Sequence, residues 1–240
     1  MGFAPALHAE WLKILTLRSL HGALLALAAV TTAFSALAGA ETPEPGLDPL
    51  ATALSGVLPG QIAAISFGAL AVSAEYQGGA LGLSLSAVPR RGHWFAAKAT
   101  AVAGPTLAAG LVTACAAVAV GRAGLGGAAD GLDTDDQARG VVGAALYLTL
   151  MALLAAGLTA VLRSGVATLS LLIPFVLTVS FVLGDAAGDA TEFLPDRAGQ
   201  VALHQTYDGT LGPWSGLGVT ALWTAAALIA GAWSVHRRDV

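Results

Sequence analysis

Long apolar stretches alternate with short polar segments along most of the chain. Six of these stretches approach the roughly 20 mostly apolar residues that an α-helix needs to cross a bilayer. Each is apolar around its whole circumference rather than along one stripe, which is typical of a helix surrounded by lipid and other helices. None shows the two-residue alternation of a membrane β-strand. The predicted spans are 20–40, 55–74, 96–120, 140–162, 166–184 and 214–235.

The segment before the first span, residues 1–18, has a different pattern. Its apolar residues recur at helical spacing, with polar residues between them, which predicts an amphipathic helix lying along the membrane interface. Trp11 would lie at headgroup depth, and Lys13 and Arg18 would face anionic lipid. The alternative is an unstructured basic leader that only sets the topology. The apolar face comprises Phe3, Leu7, Trp11, Ile14 and Leu15.

Composition supports a membrane protein. Of the 240 residues, 56% are hydrophobic and only 11% are charged, against about 25% charged in average globular proteins. The sequence therefore predicts one all-α integral membrane domain, residues 1–240. A cleaved signal peptide is the alternative for the first span, since Ala38, Gly39 and Ala40 resemble a cleavage site. Cys115 is the single cysteine, so an intrachain disulfide is excluded and we expect a packing role.

Charge is distributed unevenly between the two sides of the predicted membrane domain. One side consists of the N-terminus, the loops after the second and fourth spans, and the C-terminus. The opposite side holds twelve of the 15 acidic residues. Because basic loops stay inside, we predict a multi-pass plasma-membrane protein with both termini cytoplasmic. The basic side holds most of the 11 Lys and Arg residues, namely Lys13, Arg18, Arg90, Arg91, Lys98, Arg163, Arg237 and Arg238.

The cytoplasmic loop after the second span, residues 75–95, has the pattern of a short structural element with a defined start and end. Gly78 and Gly79 let the chain turn away from the span axis. Pro89 stops a helix, because proline pushes the preceding residue out of the α region. Between these limits, apolar residues recur at helical spacing, although Leu83 also fits the alternation of a strand. The residues at helical spacing are Leu81, Leu85 and Val88.

One acid in this loop opposes the local charge bias. Glu75 lies at the edge of the bilayer, where a carboxylate is costly unless it is paired. Arg90 and Arg91 follow the short helix, and we predict that one of them pairs with Glu75. The simpler interpretation, in which the arginines only hold the loop inside, leaves Glu75 unexplained.

The chain offers no energy source of its own. No Asp, Glu, Lys, Arg or His falls in the middle of a predicted span, whereas proton- and sodium-driven carriers generally need an ionisable group there. No channel-like filter sequence or ring of charge is evident. Neither Lys13 nor Lys98 follows the glycine-rich loop that binds nucleotide phosphates. Energy for any transport would therefore come from a partner protein.

Membrane-enzyme motifs are incomplete. The run DGLDTDDQAR resembles half of a phospholipid head-group transferase motif, but the second half is missing. Tyr207-Asp208 lies in a loop, and Gly184-Asp185 lacks the glycine that intramembrane aspartyl proteases place before it. We therefore expect no enzymatic activity, no catalytic residue and no metal site in this chain. A membrane-embedded enzyme and a non-transport scaffold are the alternative functions.

Several segments, in order along the chain, together resemble the type-2 ABC permeases of actinobacterial style, which are membrane subunits of ATP-driven exporters. The opening AEWLKILTLRS, the segment FLPDRAGQ at 193–200 and the closing span with its Arg-Arg-Asp tail carry part of the resemblance. The cytoplasmic loop carries the rest, through Ala74, Glu75, Tyr76, Gly78, Gly79, Leu85, Pro89, Arg90, Arg91 and Ala96-Ala97-Lys98.

The resemblance implies a six-span exporter subunit that pairs with a second permease subunit, as a homodimer or a heterodimer. The pair would dock on separate ATP-binding subunits, which hold ATP and Mg, while this chain holds no cofactor. Its cargo would be lipophilic or amphipathic, moved out of the cell; residues 185–213 would form an external loop. Residues 75–95 would be a coupling helix, braced by the N-terminal helix. Its contacts with the ATPase would be Glu75, Tyr76, Gly78, Gly79, Leu81, Leu85, Pro89, Arg90 and Arg91.

Overall fold

In the computed structural model, every regular element of the described residues is helical. The structure describes residues 2–41, 46–77, 80–87, 90–179, 188–207 and 209–237. We number the α-helices in chain order. They are α1 (Phe3–Thr16), α2 (Arg18–Ala40), α3 (Pro49–Ala53), α4 (Val57–Ser73), α5 (Ala80–Ala87), α6 (Arg91–Leu125), α7 (Thr134–Leu162), α8 (Gly165–Pro174), α9 (Pro195–Gln200) and α10 (Pro213–Arg237).

Five helices of the described part are long and apolar enough to cross a membrane, namely α2, α4, α6, α7 and α10. They correspond to five of the predicted spans, and the described residues are all-α, as expected for a membrane protein with several apolar helices. Sequence periodicity could locate them because a span is defined by a local property, the length of an uninterrupted apolar run.

The remaining predicted span, 166–184, is only partly described. Helix α8 is followed by one π-helical turn, Phe175–Val179, and the apolar helical segment Gly165–Thr178 is shorter than a full span. Pro174 closes α8, because proline lacks the N–H that continues the regular hydrogen-bond ladder. Residues 180–187 lie outside the described residues, so a count of six spans stays a prediction.

Helix α7 is the centre of the bundle and packs against α4, α6 and α10. Two glycines allow α7 to approach α4 and α10 closely. A Cβ on Gly68 of α4 would overlap the carbonyl oxygen of Ala152 in α7, and a Cβ on Gly157 would overlap the backbone of α10 at Ala227. These contacts bring helix backbones together directly, as small residues do between membrane helices.

The spans alternate in direction, so the connecting segments collect at two ends. We call one the α5 end; it gathers α1, α5, the start of α6 and the end of α10. The other, the α9 end, gathers α3 and α9. The described part of the predicted external loop, 185–213, contains short helical segments. Its residues Ala198 and Leu203 are buried, and Thr220 of α10 donates to the carbonyl oxygen of Pro195 at 2.8 Å.

Candidate functional site

Four charged side chains meet at the α5 end of the bundle. Glu10, Glu75 and Lys98 are only 3%, 2% and 4% exposed, and Lys13 is about one-third exposed through its side chain. Buried charges of this kind are costly unless they are paired. We call these four residues, together with Ser84, the charge cluster.

The cluster is a continuous network of ion pairs and hydrogen bonds. Glu75 Oε1 accepts from Lys13 Nζ at 2.7 Å and from Lys98 Nζ at 2.7 Å. Glu10 pairs with Lys13 at 3.0 Å and also with Lys98. Ser84 donates to Glu75 Oε2 at 2.9 Å and accepts from Lys13 at 3.2 Å. Two carboxylates therefore balance two ammonium groups, and the buried cluster carries no net charge.

The N-terminal helix, α1, contributes Glu10 through its buried face. Ala6, Glu10 and Ile14 are buried one helical turn apart. The predicted apolar face is divided: Leu7 and Ile14 pack against the core, whereas Phe3, Trp11 and Leu15 are exposed. The helix therefore rests on the bundle along a line that includes an acid, and it leaves an apolar strip uncovered.

The predicted interfacial residues of α1 separate into two groups. Trp11, 41% exposed, lies beside Gly104 of α6, and Arg18 is exposed at the start of α2. Lys13 instead turns inward to the charge cluster. Burial alone would lower the pKa of Lys13, but its hydrogen bond to Glu75 and the charge of Glu10 raise that pKa above its ordinary value. Lys13 is therefore a charged partner of the two acids at neutral pH.

Glu75 and Tyr76 lie in a short 3₁₀ turn, Ala74–Tyr76, that ends the second predicted span. The Tyr76 hydroxyl donates to the carbonyl oxygen of Ala160 in α7 at 3.3 Å. The Arg163 guanidinium lies 5.9 Å from the centre of the Tyr76 ring. These contacts tie the turn to the end of α7 and hold Glu75 at the place where the lysines converge.

Within the predicted loop, the described residues 80–87 are helical, α5, rather than extended as a strand. Leu81 is 4% exposed and packs with Trp94, Phe95 and Val235, so it anchors α5 to the starts and ends of the neighbouring spans. Ser84 lies almost one turn further along and joins the charge cluster. Among the described side chains of α5, Leu81 therefore makes apolar contacts and Ser84 makes polar ones.

The prediction that Arg90 or Arg91 pairs with Glu75 is wrong. Arg91 Nη1 donates to the carbonyl oxygens of Val235 and His236 at 2.8 and 3.1 Å, which ties the start of α6 to the end of α10. Arg90 is exposed at the residue before α6. Lysines pair with Glu75 instead of an arginine. Helix α6 begins at Arg91, and two turns of this helix place Lys98 beside Glu75.

Some predicted contact residues cannot be placed. Gly78, Gly79 and Pro89 lie outside the described residues, and only the backbone of Leu85, within α5, is described. Conversely, Glu10, Ser84 and Lys98 belong to the site and were not among the predicted site residues. A signal for Glu10 existed, since an acid three residues before Lys13 faces the same side of a helix. Ser84 gave no such signal.

The charge cluster borders a cavity of about 380 Å³. The cluster contains no thiol or histidine, and both acids are occupied by lysines. Its geometry instead joins four elements, α1, the end of α4, α5 and α6, through charges that are expensive to separate. The charge cluster therefore fastens α5 to α1, α4 and α6. The chain matches no protein-family model and no curated protein.

Proposed function

We propose that this chain is the permease subunit of an ABC exporter, moving a lipophilic or amphipathic substrate with energy from a separate ATP-binding subunit. The observation that carries the proposal is the charge cluster, which fastens a short helix at one end of the bundle to two spans and to α1. A helix that only connected two spans would need no network of four charges to hold it. A helix that receives force from a partner would need such a firm attachment to the spans.

In this proposal, α5 is the coupling helix and the charge cluster is its attachment. A partner ATPase closes on ATP and Mg and displaces α5. Because Ser84 and Glu75 are hydrogen-bonded at 2.9 Å, and Glu75 is held by Lys13 and Lys98, α1, α4 and α6 follow the displacement. The spans then switch between inward and outward access, and a second permease subunit completes the pathway.

The proposal includes six spans in the plasma membrane, with the α5 end in the cytoplasm. In a Cys115→Ser background, a cysteine at the exposed position Thr206, at the α9 end, is expected to react with a membrane-impermeant thiol reagent in intact cells. A cysteine at the exposed position Gln77, at the α5 end, is expected to react only after permeabilisation. The opposite pattern would contradict the orientation and remove α5 from reach of a cytoplasmic ATPase.

Affinity purification of the tagged chain from its native host tests the partner. We expect a co-purifying protein that carries a GxxxxGK(S/T) nucleotide loop, with ATP hydrolysis that vanadate inhibits. Replacing residues 80–87 with a Gly-Ser linker is expected to release this partner while the spans still insert. A co-purified ATPase that stays bound to the linker variant would contradict docking on α5. Absence of any ATPase would favour the alternatives, a membrane scaffold or a membrane-embedded enzyme.

A further inference from the structure

A second cavity, of about 470 Å³, lies at the α9 end, far from the charge cluster. Its walls come from α2, α4, the π-helical turn after α8 and the segment around α9. The apolar side includes Phe34, Leu58 and Leu177, which are 51%, 43% and 54% exposed. An apolar molecule can therefore reach this wall from the surface of the bundle.

The inner wall of this cavity is polar and partly unsatisfied. Gln61 is 3% exposed, and its Oε1 accepts from the Tyr147 hydroxyl. Gln200 Nε2 donates to the same hydroxyl at 3.3 Å. Among the described residues, no hydrogen bond uses Gln61 Nε2 or Gln200 Oε1. Both glutamines line the cavity, so these two amide atoms remain available to a ligand.

Charge around the cavity favours a cation. Two carboxylates, of Glu192 and Asp196, line it together with the Arg197 guanidinium and the His204 imidazole. Thr210 donates to Glu192 Oε2 through its hydroxyl at 2.6 Å and its backbone N–H at 2.9 Å. These bonds lower the pKa of Glu192, so its carboxylate stays ionised at neutral pH. Carboxylates beside an apolar wall provide a favourable field for a positively charged headgroup.

We propose that this cavity binds an amphiphile with an apolar body and a cationic head that carries N–H donors. The body would lie against Phe34, Leu58 and Leu177, with the head between Glu192 and the two glutamine amides. The inference rests on the proposed function, since it names the class of molecule that the permease would move. Binding itself requires no ATPase, so it can be tested separately.

Fluorescence anisotropy of rhodamine 6G, a lipophilic cation with N–H groups, tests the cavity in nanodiscs that contain the purified chain. Empty nanodiscs correct for partition into lipid. We expect saturable binding that dodecylammonium displaces and dodecyl sulfate does not. Equal displacement by the two detergents would overturn the charge preference, and absence of saturable binding above empty nanodiscs would overturn the site.

A charge series at Glu192 locates the binding. Because Glu192 is only partly buried and a glutamine oxygen can still accept from Thr210, Glu192→Gln should leave the fold intact. We expect about threefold weaker binding for Glu192→Gln and a further loss for Glu192→Lys. Glu41→Gln, at the same end but outside the cavity, is the matched control and should bind as the unaltered chain does. Unchanged affinity across the Glu192 series would place the dye elsewhere and overturn the proposal. Loss of ATPase co-purification would leave this result standing.

Discussion

Replacing Glu75 with alanine is expected to lower the free energy of unfolding by about 3–5 kcal/mol, the usual effect of removing one partner from a buried ion pair. Lys13 and Lys98 both bind Glu75 at 2.7 Å, so the variant leaves two ammonium groups against Glu10 alone. Reversible unfolding by SDS in mixed micelles measures the loss. A change below about 1 kcal/mol would show that the cluster behaves like an exposed pair.

A second substitution separates charge balance from packing. Adding Lys98→Met to Glu75→Gln leaves Glu10 and Lys13 as a neutral pair, 3.0 Å apart. Because replacing buried ion pairs by apolar groups is often neutral, the double variant should recover most of the stability that Glu75→Gln alone loses. A double variant less stable than the single one would contradict this description of the cluster.

Gly68→Ala is expected to be among the most disruptive single-methyl changes in the bundle. The added Cβ would overlap the backbone carbonyl oxygen of Ala152, so α4 and α7 must separate. Overpacking of a close contact typically costs about 1–3 kcal/mol, and the obstacle here is backbone rather than a movable side chain. The same SDS unfolding measurement reports the loss.

Gly218→Ala in α10 is the matched control. No atom lies within 4 Å of the position where its Cβ would stand, and alanine favours a helix over glycine by roughly 0.5–1 kcal/mol. We therefore expect unchanged or slightly higher stability. If Gly68→Ala behaved in the same way, the close approach of α4 and α7 would be incorrect.

The spans and the short helix could be predicted because both depend on residues close in sequence. An apolar run of sufficient length marks α2, α4, α6, α7 and α10, and helical spacing marks α5. The burial of α9 against α7 and α10 could not be predicted this way. Its segment contains Asp196 and Arg197, which give it the polarity of a loop, and only the packing of Ala198 and Leu203 reveals its position.

The site was predicted in part. Glu75 was singled out because an acid at the bilayer edge needs a partner, and the structure provides partners for it. Sequence spacing could not show which residues pair with Glu75, because Lys13 is 62 residues away along the chain and Lys98 is 23 residues away. That choice depends on where α6 begins and how α1 lies on the bundle, which are properties of the folded chain.

Motion of the spans in response to ATP tests the central claim, that the charge cluster transmits force from α5. In a Cys115→Ser background, spin labels at the exposed positions Leu37 and Trp214 would report the distance between α2 and α10 at the α9 end. In a complex with the proposed ATPase, we predict that ATP with vanadate shifts this distance when the cluster is unaltered. We predict no shift in the Glu75→Gln/Lys98→Met variant, which we expect to remain stable and to bind the ATPase. An equal shift in both proteins would contradict the account.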